Sequence, residues 1–223
     1  TGVSGLFYKK RTSDRFLKVE DELLQRPHHI AQDTSGNILV ACEDRLLKVN
    51  PQSLETEVFL KGEFYYFVMC DSEGNIWYGS YEIGLKKIVS LNPLKLTCYD
   101  KNQRIYKSNY FTDMVEIKPG EFYALYREGG LYYINTKTNI VKEYNYKADN
   151  NNGLSSNAVN TVFIDNTKNV WIGTYNRGIC FLDGYRKEFK NYQVKDENNN
   201  ISNNVRSIYQ DRVGEIWIGT KDG

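Results

Sequence analysis

One pattern returns along the chain and limits what it can fold into. It is an Asp, a turn residue three positions later, and a short apolar run that ends in a small residue. The fullest copy lies within residues 154–182: Asp165, then Val170-Trp171-Ile172-Gly173, then Gly178-Ile179. Asp211, Gly214 and Ile216-Trp217-Ile218-Gly219 form a second copy. Asp71, Gly74, Ile76-Trp77-Tyr78-Gly79 and Gly84-Leu85 form a third. Asp33, Gly36, Ile38-Leu39-Val40-Ala41 and Leu46 are a weaker copy, and Gly120, Phe122-Tyr123-Ala124-Leu125 and Gly130-Leu131 the most degraded. The turn positions Gly36, Gly74, Gly120, Lys168 and Gly214 are 38, 46, 48 and 46 residues apart. A period of roughly 40–50 residues with four short strands per unit is the signature of propeller blades.

The physical content of the unit supports that reading. Asp-x-x-Gly between two apolar runs is a hairpin turn, in which the carboxylate accepts from backbone N–H groups two residues on and Gly takes the positive φ. The run behind it does not alternate, so it should be covered on both faces, as a strand packed between neighbouring sheets would be. Trp171 and Gly173 share a face, and a large side chain beside bare backbone lets an adjacent sheet nest closely.

Taken in order, the chain reads as an all-β propeller of four-stranded antiparallel blades, about five blade-equivalents in all. Residues 1–20 make a half blade. Full blades are expected at 28–60, 65–100, 110–146 and 158–194, and a second half blade at 205–223. Their strands are expected at 30–33, 38–42, 46–49 and 55–60; at 65–71, 76–80, 85–89 and 96–100; at 111–118, 122–126, 131–135 and 140–146; and at 158–165, 170–174, 179–183 and 189–194. Two last strands follow at 205–211 and 216–220. The two halves complement one another, so the reading allows a closed small ring or an arc of a seven-bladed propeller. Ends that fall inside a repeat point to a piece of a longer protein. A formal net charge of +1 over 223 residues gives no electrostatic reason to expect nucleic acid. No apolar run of 18 residues is present, so no membrane span is expected within the sequence, and no signal peptide is visible in it.

At Leu154-Ser-Ser-Asn-Ala-Val159, Ile164-Asp165, Asn169-Val-Trp-Ile-Gly-Thr174 and Gly178-Ile179 the chain resembles the two-component regulator propeller repeat. Ile201-Ser-Asn-Asn-Val205 through Trp217-Ile-Gly-Thr220 resembles it again, as does Asn75-Ile-Trp-Tyr-Gly-Ser80 with Ser in place of Thr. The units at Gly36, with Leu39 for Trp, and at Gly120, without Asp or Trp, depart from it. The resemblance implies the periplasmic sensor region of a Bacteroidetes hybrid two-component histidine kinase. Such regions carry two seven-bladed propellers and a small β-sandwich ahead of a membrane helix and the kinase. It further implies recognition of glycan-derived oligosaccharides and control of polysaccharide utilisation, with the kinase outside this chain. Other propeller or sandwich domains of the same protein, and a homodimer, are the implied partners.

The residues offer little for catalysis. His28 and His29 are the two histidines; adjacent strand residues point to opposite faces and cannot easily share a metal. A propeller lyase, the enzymatic alternative, would need a catalytic His and usually a metal. Cys42, Cys70, Cys98 and Cys180 lack ligand spacing and read as unpaired small apolar residues, mostly buried. No cofactor, metal site or catalytic residue is expected, and the recurrent Asp and Trp read as turn and packing residues. Binding is expected where fixed flanks carry variable loops. The second-to-third-strand loops are Val3-Ser4, Glu43-Asp44, Tyr81-Glu82, Arg127-Glu128, Tyr175-Asn176-Arg177 and Lys221-Asp222, and they share an end with the connectors from fourth strand to next first strand. Tyr81, Glu82, Arg127, Glu128, Tyr175, Asn176 and Arg177 are the candidate ligand-binding residues, because rings stack on sugars and planar polar groups meet hydroxyls. The non-catalytic alternative is a scaffold for protein–protein contacts on the same loops.

Overall fold

The computed structural model describes residues 5–80, 84–88, 96–98, 110–148, 152–195, 197 and 202–221, apart from the side chains of residues 80 and 96–98. The described residues contain strands, turns and loops, with no helix. Two compact units divide the chain, Thr1–Lys101 and Asn102–Gly223.

The first unit opens with the hairpin β1 (Phe7–Tyr8) and β2 (Leu17–Lys18). A four-stranded sheet follows: β3 (Pro27–Gln32), β4 (Ile38–Cys42), β5 (Arg45–Val49) and β6 (Thr56–Lys61). The next is β7 (Phe67–Cys70), β8 (Ile76–Ser80), β9 (Gly84–Ile88) and β10 (Leu96–Cys98). The second unit holds a sheet of β11 (Phe111–Lys118), β12 (Glu121–Tyr126), β13 (Gly130–Asn135) and β14 (Ile140–Tyr144). After it come β15 (Val159–Ile164), β16 (Val170–Thr174), β17 (Ile179–Leu182) and β18 (Phe189–Tyr192), then the hairpin β19 (Val205–Gln210) and β20 (Ile216–Thr220). Every four-stranded sheet is an antiparallel meander in sequence order. Strand one therefore begins, the second loop turns and strand four ends at the same end of each sheet.

The turn chemistry behaves as the sequence implies. Asp71 Oδ1 accepts from the amides of Glu73 (3.0 Å) and Asn75 (2.8 Å), and Gly74 sits at φ 81°. Asp33, Asp165 and Asp211 repeat the arrangement, with Lys168 taking φ 68° in the glycine position. The Trp has a second role that the sequence reading left out. The indole Nε1–H of Trp77, Trp171 and Trp217 donates to Oδ2 of Asp71, Asp165 and Asp211 at 2.8, 2.9 and 2.8 Å, so the strand is pinned to its own turn. Where Leu39 replaces Trp, Lys48 Nζ takes Asp33 Oδ2 at 3.4 Å instead. The degraded unit turns on Pro119-Gly120 with Lys118 opposite Glu121, the placement of Pro and a positive-φ Gly that a type II turn requires.

Cores form between successive sheets within each unit. Leu39, Ala41 and Leu46 pack with Tyr65, Val68 and Tyr78 in the first unit. In the second, Tyr123, Leu125 and Leu131 pack with Val162, Ile172 and Cys180, and Ile179, Val205 and Ile208 form the next layer with Trp171 against it. A Cβ on Gly173 would lie 2.6 Å from Val205 Cγ1, so the bare backbone there admits the following sheet. Coverage on both faces, expected of each Trp strand, fails at β20: Trp217 is 60% exposed, because among the described residues no following sheet packs on it as β19 packs on Trp171. Cys42 and Cys180 are buried free thiols and Cys70 is half-buried; the Cys98 side chain lies outside the described residues.

Candidate functional site

The loop end of the second unit brings expected residues together. The backbone N–H of Arg127, Tyr175 and Lys221, one from each successive second loop, donates to the carbonyls of Tyr110, Ala158 and Asn204 at 2.7, 2.7 and 2.9 Å. Three different side chains thus stand on one repeated backbone frame. Arg127 Cζ lies 5.6 Å from the Tyr175 ring centre. Glu128 follows in the left-handed region at φ 65° and forms the tip of its turn. Tyr175 is 39% exposed.

A third participant was not among the candidates. Arg206 Cζ lies 5.9 Å from the same Tyr175 ring, from the start of β19. It occupies a bulge: Val205 pairs with Thr220 and Ser207 with Gly219, leaving Arg206 outside the ladder. The same skip occurs at His28, Thr112 and Asn160. A bulge re-aims its unpaired residue, and this column varies from sheet to sheet as the loop column does. That variation, one residue after the first apolar position of each first strand, is the signal that could have found Arg206.

Arg177 and Asn176 are exposed, and Arg177 joins a different feature. A cleft of about 310 Å³ is lined by Tyr146, Lys147, Leu154, Ser155, Arg177, Asn191, Tyr192 and Gln193. Tyr146 and Tyr192 are 48% and 47% exposed. The connector asparagines hold the strand ends beside it. Asn157 Oδ1 accepts from Tyr146 N (2.7 Å) and Asn203 Oδ1 from Val194 N (3.0 Å), each fixing the end of the preceding fourth strand. Beneath, burial pushes the Cys180 thiol pKa up, and its sulfur lies 3.2 Å from the donating Ser155 N–H. The sequence placed these connectors at the same end as the second loops, but did not single out Tyr146, Asn191, Tyr192 or Gln193.

Links between sheets hold the end in shape. Asp113 Oδ2 accepts from Thr161 Oγ1 and Val162 N, both at 2.9 Å, and burial raises its pKa to about 6. Asn160 Nδ2 donates to Val205 O at 2.8 Å.

In the first unit, Tyr81 and Glu82 lie outside the described residues. Glu43 pairs with Arg26 at 2.8 Å and Asp44 with Arg45 at 2.6 Å, so these loop carboxylates are engaged. His28 stacks near Phe64 and Tyr66, with ring centres 5.2 and 5.3 Å away. His29 turns inward against Phe67 at 4.6 Å, and burial lowers its pKa. Both histidines lie against the 64–67 segment, because the bulge at His28 interrupts the strand alternation expected of them. Among the described residues no group of three His, Cys, Asp or Glu could hold a metal ion.

Sequential four-stranded meanders, layered by buried aromatic and aliphatic residues, define the chain as a β-propeller. The family model described as two component regulator propeller matches residues 153–176 and 199–222. Among solved structures, the chain is similar to the extracellular domain of BT4673 from B. thetaiotaomicron, described there as a one component system and in a second structure as a hybrid two component system. The TM-score is 0.76 at 18% identity, over 97% of this chain and 29% of that one. It is also similar to the extracellular domain of the hybrid two component system BT3049 from B. thetaiotaomicron, with TM-score 0.55, 20% identity and coverage of 96% and 34%. Virginiamycin B lyase from Staphylococcus aureus shares the fold at TM-score 0.65 and 12% identity, over 86% of this chain and 62% of that one. The chain spans about a third or less of the extracellular domains it matches. No curated protein sequence matches it.

Proposed function

We propose that this chain is part of the periplasmic ligand-sensing region of a hybrid two-component sensor histidine kinase, and that its ligand is an oligosaccharide. The observation that carries the reading is the cleft at the loop end of the second unit. Two half-exposed tyrosines, Tyr146 and Tyr192, stand beside Arg177, Asn191 and Gln193. Exposed rings offer stacking faces for pyranose C–H groups, while amide and guanidinium groups satisfy hydroxyls. The repeat and the sensor-domain fold support the sensing context. In this role the chain performs no chemistry. It converts occupancy into a change of propeller or partner geometry, and phosphotransfer belongs to other domains.

Calorimetric titration of the full ectodomain with a panel of oligosaccharides tests the proposal. A bound oligosaccharide should lose affinity in Tyr192→Ala and Arg177→Ala, each by about tenfold, while melting temperature stays within about 2 °C. Binding that ignores both changes moves the site elsewhere. No oligosaccharide binding, together with a stable protein partner or homodimer on these loops, establishes the scaffold alternative.

A further inference from the structure

Arg127, Tyr175 and Arg206 come from three successive sheets and meet at one ring. Tyr175 lies within 6 Å of both guanidinium carbons, 5.6 Å from Arg127 Cζ and 5.9 Å from Arg206 Cζ. Like charges repel, and proteins ordinarily set a carboxylate near such a pair. Arg26 and Arg45 do have one, at 2.8 and 2.6 Å. Among the described residues neither Arg127 nor Arg206 has an ion-pair partner, although Glu128 is adjacent in the chain.

The backbone explains why the cluster persists. Arg127 and Tyr175 are tied by 2.7 Å hydrogen bonds to the residues that lead into β11 and β15. The bulge takes Arg206 out of the ladder, and Asn160 fixes the adjoining Val205 carbonyl. An exposed ring between two guanidinium forks that lack an ion-pair partner among the described residues is an arrangement that an anion completes. Guanidinium groups meet planar or tetrahedral oxyanions with two parallel hydrogen bonds. Tyr175 supplies a stacking face and a phenolic hydroxyl beside them.

We propose that Arg127, Tyr175 and Arg206 form a subsite for an anionic substituent on the ligand, a sugar carboxylate or sulfate ester. This rests on the oligosaccharide reading and narrows it to acidic oligosaccharides. The cleft at Tyr146 and Tyr192 would hold the sugar rings of the chain, and the arginine pair would select its charge. Either oxyanion fits the same forks, so the experiment carries an arm for each.

The test is titration of the full ectodomain with neutral, uronate-containing and sulfated oligosaccharides, at low and at physiological ionic strength. Arg127→Ala and Arg206→Ala should each weaken acidic-ligand binding by tenfold or more and leave any neutral binding unchanged. Salt should weaken the acidic complex selectively, because the contact is exposed. Tyr192→Ala should weaken acidic ligands whichever oxyanion they carry. A preference for uronate or for sulfate identifies the group. Acidic ligands that bind equally well to both arginine variants, or binding confined to neutral sugars, overturn the subsite while the sensing proposal stands. If none of the three classes binds, the oligosaccharide reading itself fails.

Discussion

The three Trp–Asp pairs amount to a built-in experiment on what burial does to one hydrogen bond. The bond is nearly the same length at each site, 2.8 Å at Trp77, 2.9 Å at Trp171 and 2.8 Å at Trp217. The exposure of the ring runs from 0% at Trp77 to 60% at Trp217. Replacing each Trp by Phe removes the donor and keeps an aromatic ring, so differences between sites report the surroundings. At Trp77 the acceptor Asp71 is itself only 2% exposed. A net hydrogen bond to a charged group is worth about 1.5–3 kcal/mol there. The Lys87 ammonium, 5.0 Å from the Trp77 ring, still meets an aromatic face in the Phe variant, but the smaller ring leaves a void. Trp77→Phe should therefore cost about 2–4 kcal/mol. At Trp217 water can replace the donor, and the loss should be under about 1 kcal/mol. Trp171, half-buried against Val205 and Ile208, should fall between. Urea unfolding of the three variants and the parent, read through the midpoint and the slope, measures the series. Equal losses at Trp77 and Trp217 would refute the claim that burial sets the worth of this bond.

Other outcomes follow from the same reasoning. The raised pKa of Asp113, about 6 against 3.8 in the unfolded chain, makes its contribution complete below pH 3.8 and lost as pH rises through 6. The difference corresponds to about 3 kcal/mol, and Asp113→Asn should abolish that slope in pH-dependent unfolding of the second unit; an unchanged slope sinks the assignment. His29 acts with the opposite sign: burial lowers its pKa below 6.5, so its contribution is full above that value and declines as pH falls, which NMR titration of the imidazole would show directly. Gly178→Ala should be far worse than Gly173→Ala. The first places a Cβ 2.2 Å from the Tyr192 carbonyl oxygen at φ 75°, while the second presses on side-chain atoms alone, Val205 Cγ1 at 2.6 Å and Thr161 Cγ2 at 2.8 Å. Thermal unfolding should report a loss of about 1–3 kcal/mol for Gly173→Ala and failure to fold, or a much larger loss, for Gly178→Ala.

Much of the fold was legible because turn chemistry fixes both ends of a second strand. Ile38–Cys42, Ile76–Ser80, Val170–Thr174 and Ile216–Thr220 stand where the Asp turn and the following glycine or charged loop put them. Fourth strands were read too long for a definite reason. β14 ends at Tyr144 and not at 146, and β18 at Tyr192 and not at 194, because Asn157 and Asn203 capture the next free amides. Both asparagines stand in the repeated connector, yet nothing in a linear string says which amide a side chain will take. The candidate site divides in the same way. Arg127 and Tyr175 were visible as variable residues on a constant frame. Arg206 was hidden because a bulge is a property of pairing and not of a residue type. The Trp–Asp bond was hidden in plain spacing: each Trp stands six residues after its Asp, but the turn must fold before that interval becomes a distance. Asp33 shows that the carboxylate, more than the indole, is what the unit must satisfy. Where Trp is absent, Lys48 reaches across from the third strand to the same oxygen. The repeat therefore tolerates loss of its most recognisable residue where a donor arrives from elsewhere, which is why the copy at Gly36 still folds as a sheet of the same plan.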